Sequence, residues 1–126
     1  LLGELNKVRL PYNLNALTQA MGARLLEHGE QLDRQVRAIV KGREELFREL
    51  KKMEGVRPFP SDANFILFRC AYDKDRVYKG LVERGVLVKS FAAPQVLRDC
   101  FRVSVGTEEE NRAFVAALRD VVGTCR

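Results

Sequence analysis

Arg102 is the residue whose type and setting best suit it to chemistry. It lies inside the alternating run Phe101-Arg102-Val103-Ser104-Val105, two residues after Cys100 and four before Gly106. A guanidinium fixed on a strand offers a planar fork of donors to a carboxylate or a phosphate. The plainer reading is a strand arginine facing solvent. Asn64 stands at a turn-to-strand junction after Ser61-Asp62-Ala63, where asparagine commonly satisfies the turn's own backbone. His28 is the single histidine and sits on a helical stretch. General-base work needs partners that hold the ring, so His28 reads as a helix-end or surface residue.

Other catalytic signatures are absent. The sequence has no phosphate-cradling glycine loop, no H-E-x-x-H and no Ser-His-Asp set. Cys70, Cys100 and Cys125 form no C-x-x-C, and one histidine does not complete a zinc set with them. Reduced thiols of a cytoplasmic protein are the simplest account. No catalytic residue and no metal site is expected, and from the residues alone the chain reads as a binding or accessory domain.

The elements that would position Arg102 and Asn64 follow from periodicity and punctuation. Pro11 is expected to open a turn, with Asn13 or Asn15 as N-cap. Leu14, Leu17, Met21 and Leu25 recur at helical spacing. A second stripe, Leu32, Val36, Ile39, Val40, Leu46, Phe47 and Leu50, runs to about Met53, with a break near Glu27–Glu30 and a stop at Gly55. One bent helix and two successive helices fit equally well. Val56 to Pro60 carries two prolines and suits an edge strand. Asn64 to Cys70 and Val86 to Phe91 read as strands, separated by a helix from an Asp73 cap to about Arg84 and closed by Gly85. The Phe101–Val105 strand ends at Gly106. Thr107 and Glu110 then form a capping box for a last helix that buries Phe114, Val115, Leu118, Val121 and Val122. The fold class is therefore α+β: a long N-terminal helix, then a small, largely antiparallel sheet covered on one face by helices.

Bulk properties agree with one domain plus a helical extension. The chain has 126 residues, 46% of them hydrophobic and 31% charged, with a net charge of +5. The positive excess suits an anionic partner. Yet Arg34, Arg37, Lys41, Arg43, Arg48, Lys51 and Lys52 alternate with Asp33, Glu44, Glu45 and Glu49, which reads as a solvated helix face, not a nucleic-acid patch. No apolar run approaches the ~20 residues of a membrane span, and no signal peptide is visible. Leu1 in place of a start methionine suggests that the chain begins inside a longer protein.

Four strings then carry a resemblance over nearly the whole chain, from Glu4 to about Leu118. They are Lys7-Val8-Arg9-Leu10-Pro11-Tyr12-Asn13-Leu14-Asn15, Pro60-Ser61-Asp62-Ala63-Asn64-Phe65, Gly85-Val86-Leu87-Val88-Lys89, and Phe101-Arg102-Val103-Ser104-Val105-Gly106-Thr107-Glu108-Glu109-Glu110-Asn111. In order and spacing they resemble the C-terminal third of the histidinol-phosphate aminotransferases, fold type I pyridoxal-phosphate enzymes. The last string is the most specific.

The resemblance implies that residues 1–53 are the end of the large domain plus the interdomain helix, and residues 54–126 the small C-terminal aminotransferase domain. It implies that Arg102 grips the substrate's carboxylate or equivalent anion and that Asn64 lies close to the substrate. Lys89 stands where many members have an arginine near the substrate's phosphate. That departure keeps the charge and loses the fork. Tyr12 and Asn13 match the segment leading toward the active site.

The implied cofactor is pyridoxal phosphate. The family's Schiff-base lysine sits in a serine-rich S-x-S-K context that none of Lys7, Lys41, Lys51, Lys52, Lys74, Lys79 and Lys89 has, so the chain alone is expected to be inactive. Partners implied are a phosphorylated amino substrate, glutamate or 2-oxoglutarate, and a second subunit in a homodimer, with no nucleic acid and no membrane. The alternatives are a sibling enzyme (an aromatic aminotransferase or a threonine-phosphate decarboxylase) and a non-catalytic module binding an anion or RNA. Against RNA, the alternating strand shows Arg102 and Ser104 on its polar face and no stacking aromatic.

Overall fold

The computed structural model describes residues 2–8 and 14–125. The expected turn at Pro11 and the Tyr12-Asn13 pair lie outside the described residues. The chain divides into two compact units, Leu1–Val36 and Arg37–Arg126.

The first unit carries helices α1 (Leu2–Val8) and α2 (Ala16–Leu26) and the start of α3 (Gly29–Lys51). Asn15 caps α2: its side-chain oxygen accepts the Thr18 N–H at 2.8 Å. Of the two arrangements open in the sequence, two successive helices form. The Glu27-His28 step separates them, and His28 is exposed at that junction. No residue of α2 is buried, and Leu14, Leu17, Met21 and Leu25 are all exposed.

The second unit holds a four-stranded sheet of β1 (Val56–Pro58), β2 (Phe65–Cys70), β3 (Lys89–Ser90) and β4 (Cys100–Ser104) in the order β1-β2-β4-β3. Every pairing is antiparallel. As its prolines require, β1 is an edge strand. The later part of α3, with α4 (Lys74–Glu83) and α5 (Glu108–Gly123), supplies the apolar side chains that cover one face. Leu46 and Leu50, Val77 and Leu81, and Phe114, Leu118 and Val121 meet Ile66, Phe68, Phe101 and Val103 in one core. Phe68 stacks on Phe101 with ring centroids 5.5 Å apart and meets Phe114 at 5.9 Å.

One expected strand is shorter than its sequence suggests. Val86–Phe91 is β-rich, yet only Lys89 and Ser90 join the ladder. The cause is the end of α4. Gly85 adopts φ +74, and the Gly85 and Val86 N–H groups return to the Val82 and Leu81 carbonyls at 2.9 and 3.0 Å. This is a complete Schellman motif. Val86 is therefore spent on terminating the helix, and Val88 contributes to the core without pairing. A 3₁₀ turn at Gln95–Leu97 follows β3, a piece that the sequence did not signal.

The β4–α5 corner is built around Asn111. Its side-chain oxygen accepts the Gly106 N–H at 3.0 Å, and its amide donates to the Gly106 carbonyl at 3.1 Å. The expected capping box at Thr107 and Glu110 is present. The Thr107 N–H, seconded by its hydroxyl, holds the Glu110 carboxyl below its ordinary value. Helix α3 passes close to this corner at Gly42, where an added Cβ would lie 3.1 Å from the Asn111 amide and 3.2 Å from Val105. Replacing Asn111 with alanine removes both bonds to Gly106. We expect the unfolding free energy measured by urea denaturation to fall by about 1–2 kcal/mol, and a loss below about 0.3 kcal/mol would show that the clamp does not hold the corner.

Candidate functional site

The face of the sheet turned away from the helices carries the candidate residues. Alternation assigns its positions. They are Arg57 and Phe59 from β1 and the residue after it, Phe65, Leu67 and Arg69 from β2, Cys100, Arg102 and Ser104 from β4, and Lys89 from β3. In register, Leu67, Arg102 and Lys89 form one row across three strands. Arg57, Arg69 and Cys100 form the next. Arg57, Arg69, Lys89 and Arg102 thus share a face on which no strand position is acidic.

Lys89 and Arg102 are direct cross-strand partners. Like charges in that relation repel, with Cβ atoms roughly 5 Å apart. Both side chains are exposed, and neither makes an ion pair or hydrogen bond among the described residues. The Arg102 guanidinium instead lies over the Phe65 ring, 5.1 Å from its centroid. An anion placed between the two cations would relieve their repulsion and meet unoccupied donors from both. The arrangement is suited to binding a carboxylate or phosphate.

At the other end of the face, Arg69 donates to the Val96 carbonyl at 3.0 Å. The loop before β4 thereby covers this end, and there Cys100 is fully buried although it alternates outward. The Arg69 Nε is buried without a partner. Cys70 faces the helices, and burial pushes its thiol above its ordinary value, which makes it an unreactive core residue.

Asn64 stands apart from the Lys89–Arg102 pair, at the entry to β2. Its turn is pinned by Ser61, whose hydroxyl donates to the Phe65 carbonyl at 2.6 Å and accepts the Ala63 N–H at 3.2 Å. Arg43 of α3 adds a bond to the Ala63 carbonyl at 3.3 Å. The Asn64 carbonyl accepts the Val105 N–H at 2.8 Å, so the asparagine is joined to the end of the strand that carries Arg102. Its exposed side chain makes no hydrogen bond among the described residues.

Two features of the face escaped reading from single strands. The pairing of Lys89 with Arg102 depends on register. The aromatic content comes from neighbouring strands: β4 alone shows none, yet Phe65 and Phe59 lie on the same face. Each has an arginine over it, Arg102 over Phe65 and Arg57 over Phe59 at 5.8 Å, which occupies the rings that a nucleic-acid platform would leave free. A separate cleft of about 400 Å³, lined by Arg43, Phe47, Arg48, Pro60 and Ile66 among others, includes none of the candidate residues.

The lysines all lie at the surface of the described chain. Lys7, Lys41, Lys52 and Lys79 pair with surface glutamates. Lys51 lies near the Phe47 ring, and Lys74 donates to the Phe91 carbonyl at 2.6 Å. Lys89 stands beside Arg102. None of them is buried. Among the described residues no group of histidine, cysteine and carboxylate side chains could hold a metal ion, and no helix is long and apolar enough to cross a membrane.

Comparison with known proteins identifies the family and the fold. The family model for class I and II aminotransferases matches residues 1–118. A histidinol-phosphate aminotransferase from Aquifex aeolicus is 44% identical over 123 residues, which are 97% of this chain and 35% of that protein. The crystal structure of the histidinol-phosphate aminotransferase from Clostridium acetobutylicum matches 97% of this chain and 37% of its own with a TM-score of 0.83 at 22% identity. The Sinorhizobium meliloti enzyme, solved in complex with pyridoxal-5'-phosphate, matches 98% of this chain and 34% of its own with a TM-score of 0.79 at 21% identity. At these identities the two structures establish the fold. The chain spans about a third of the length of the relatives that it matches.

Proposed function

This chain belongs to the class I and II aminotransferases, and from that premise we propose that it forms the substrate-anion site of a pyridoxal-phosphate-dependent histidinol-phosphate aminotransferase. The observation that carries the proposal is the Lys89–Arg102 pair, two exposed cations opposed across the sheet with no acidic partner among the described residues. The choice of substrate rests on the 44% identity to the Aquifex enzyme. In the longer protein, residues 1–53 would be the end of the large domain and the interdomain helix, and residues 54–126 the small domain. The reaction would move the amino group of glutamate to imidazole-acetol phosphate, giving histidinol phosphate and 2-oxoglutarate. We place that enzyme in the cytoplasm and expect it to work as a homodimer.

Within it, this chain's residues bind and orient. Arg102 offers its fork to the substrate's carboxylate or phosphate, and Lys89 adds a point charge beside it. Asn64, tied through its carbonyl to the end of β4, supplies an amide at the rim. Anchoring the anionic end of the substrate lets remote binding energy fix the position of the reacting carbon. The lysines lack the serine-rich context of the family's cofactor lysine, and no bond-making step is assigned to these residues.

A direct test uses the 126-residue chain alone. Incubation with an equimolar amount of pyridoxal phosphate, borohydride reduction and peptide mass mapping should give only scattered, substoichiometric labelling of surface lysines. Stoichiometric pyridoxyl labelling of a single lysine would show that the chain holds its own cofactor anchor and would overturn the assignment.

A further inference from the structure

We propose that Phe65 is the positioning residue for Arg102, holding the guanidinium by its face so that its N–H edges remain free for the anion. The inference rests on the reading of Arg102 as the anion-gripping residue and adds the device that orients it.

The sheet register explains the contact. Phe65 is paired with Ser104, and Arg102 lies two residues before Ser104 on the same face. A diagonal neighbour of this kind is about 7–8 Å away between backbones, within reach of an aromatic ring and a long side chain. Ser104 is small, so the Phe65 ring is free to lean along β4 toward Arg102. On the opposite side of Arg102 stands Lys89, whose charge discourages the guanidinium from leaning that way. The ring beneath one side and the ammonium on the other together select one direction for Arg102.

Among the described residues, the 5.1 Å approach to the Phe65 ring is the interaction that Arg102 makes. No carboxylate, carbonyl or hydroxyl of the described residues engages its five donors. A cation held by a π face keeps every donor available, whereas one held by a carboxylate would have its fork occupied before the substrate arrived. A half-buried ring also displaces water from one side of the guanidinium, which strengthens its attraction for an incoming anion. Phe65 is itself fixed. Its carbonyl accepts the Ser61 hydroxyl at 2.6 Å, and it belongs to the first pair of the β2–β4 ladder.

The test is a double-mutant cycle in the full-length enzyme that carries this chain. Phe65→Leu keeps apolar bulk and removes the ring. It should raise KM for the phosphorylated substrate by about fivefold, with a smaller change in kcat, and Phe65→Tyr should restore it. In an Arg102→Ala background, Phe65→Leu should have no further effect, because the residue that it orients is gone. Urea unfolding of the single variants separates this from loss of the fold. An unchanged KM in Phe65→Leu, or an equal rise with and without Arg102, overturns the proposal while the anion role of Arg102 stands. If Arg102→Ala alone leaves KM and kcat/KM unchanged, the underlying reading fails and this inference falls with it.

Discussion

Replacing Arg102 with alanine in the proposed full-length aminotransferase is expected to lower kcat/KM for histidinol phosphate by about 10²- to 10³-fold. Hydrogen bonds to a charged group contribute about 1.5–3 kcal/mol each, and a fork making two of them supplies about 3–4 kcal/mol once losses of ordering are allowed for. At about 1.4 kcal/mol per factor of ten, that is two to three orders of magnitude. Arg102→Lys keeps the charge without the fork and should fall between, near tenfold. Stability should change by less than about 0.5 kcal/mol, because the side chain is exposed and makes no hydrogen bond that folding would lose. Steady-state kinetics of the three proteins, with unfolding curves beside them, decide the matter. An Arg102→Ala enzyme with unaltered kcat/KM would remove the anion role from this residue.

The second large effect belongs to the neighbouring residue and has the opposite character. Phe101 is fully buried and stacked on Phe68, which in turn meets Phe114 of α5. Truncating a buried phenylalanine removes its transfer free energy and leaves a cavity, at a cost of about 3–5 kcal/mol. Whole domains are stable by only about 5–15 kcal/mol, so Phe101→Ala should leave the domain barely folded at 37 °C. The change in urea midpoint measures it. Leu87→Ala, at a residue 77% exposed, should stay within about 0.5 kcal/mol. A Phe101→Ala loss below 1 kcal/mol would mean that β4 is not anchored by this ring. The two predictions are linked by strand alternation: the side chain at 101 fixes β4 against the helices, and that anchoring turns the side chain at 102 outward.

Much of this architecture is legible in the chain because local rules and burial agree. The alternation of Phe101 and Val103 with Arg102 and Ser104 identified both faces of β4. Thr107 and Glu110 announced the start of α5, and Gly85 announced the end of α4 with a left-handed conformation that glycine alone adopts cheaply. The prolines at 58 and 60 placed β1 at an edge. Where β propensity and a helix terminus competed for Val86, the terminus won, because its N–H closes the Schellman motif instead of a ladder. Propensity does not reveal that competition.

The candidate site was legible one residue at a time and not as an arrangement. Arg102 stood out by its place on a strand, and Asn64 and Lys89 entered through resemblance. That Lys89 lies directly opposite Arg102 is a matter of register, set by the path of residues 91–99 between the two strands. The ring under Arg102 comes from β2, more than thirty residues earlier in the chain, and no local pattern joins the two. Pairing across a sheet is non-local information, and a one-residue slip would send every side chain to the other face.

The most direct test of the anion-site assignment is a crystal structure of the proposed full-length aminotransferase with histidinol phosphate or a non-reacting analogue bound. Carboxylate or phosphate oxygens are expected about 2.7–2.9 Å from the Arg102 guanidinium, with the Lys89 ammonium beside them. An anionic group held elsewhere, with Arg102 and Lys89 both turned to solvent, would contradict the assignment.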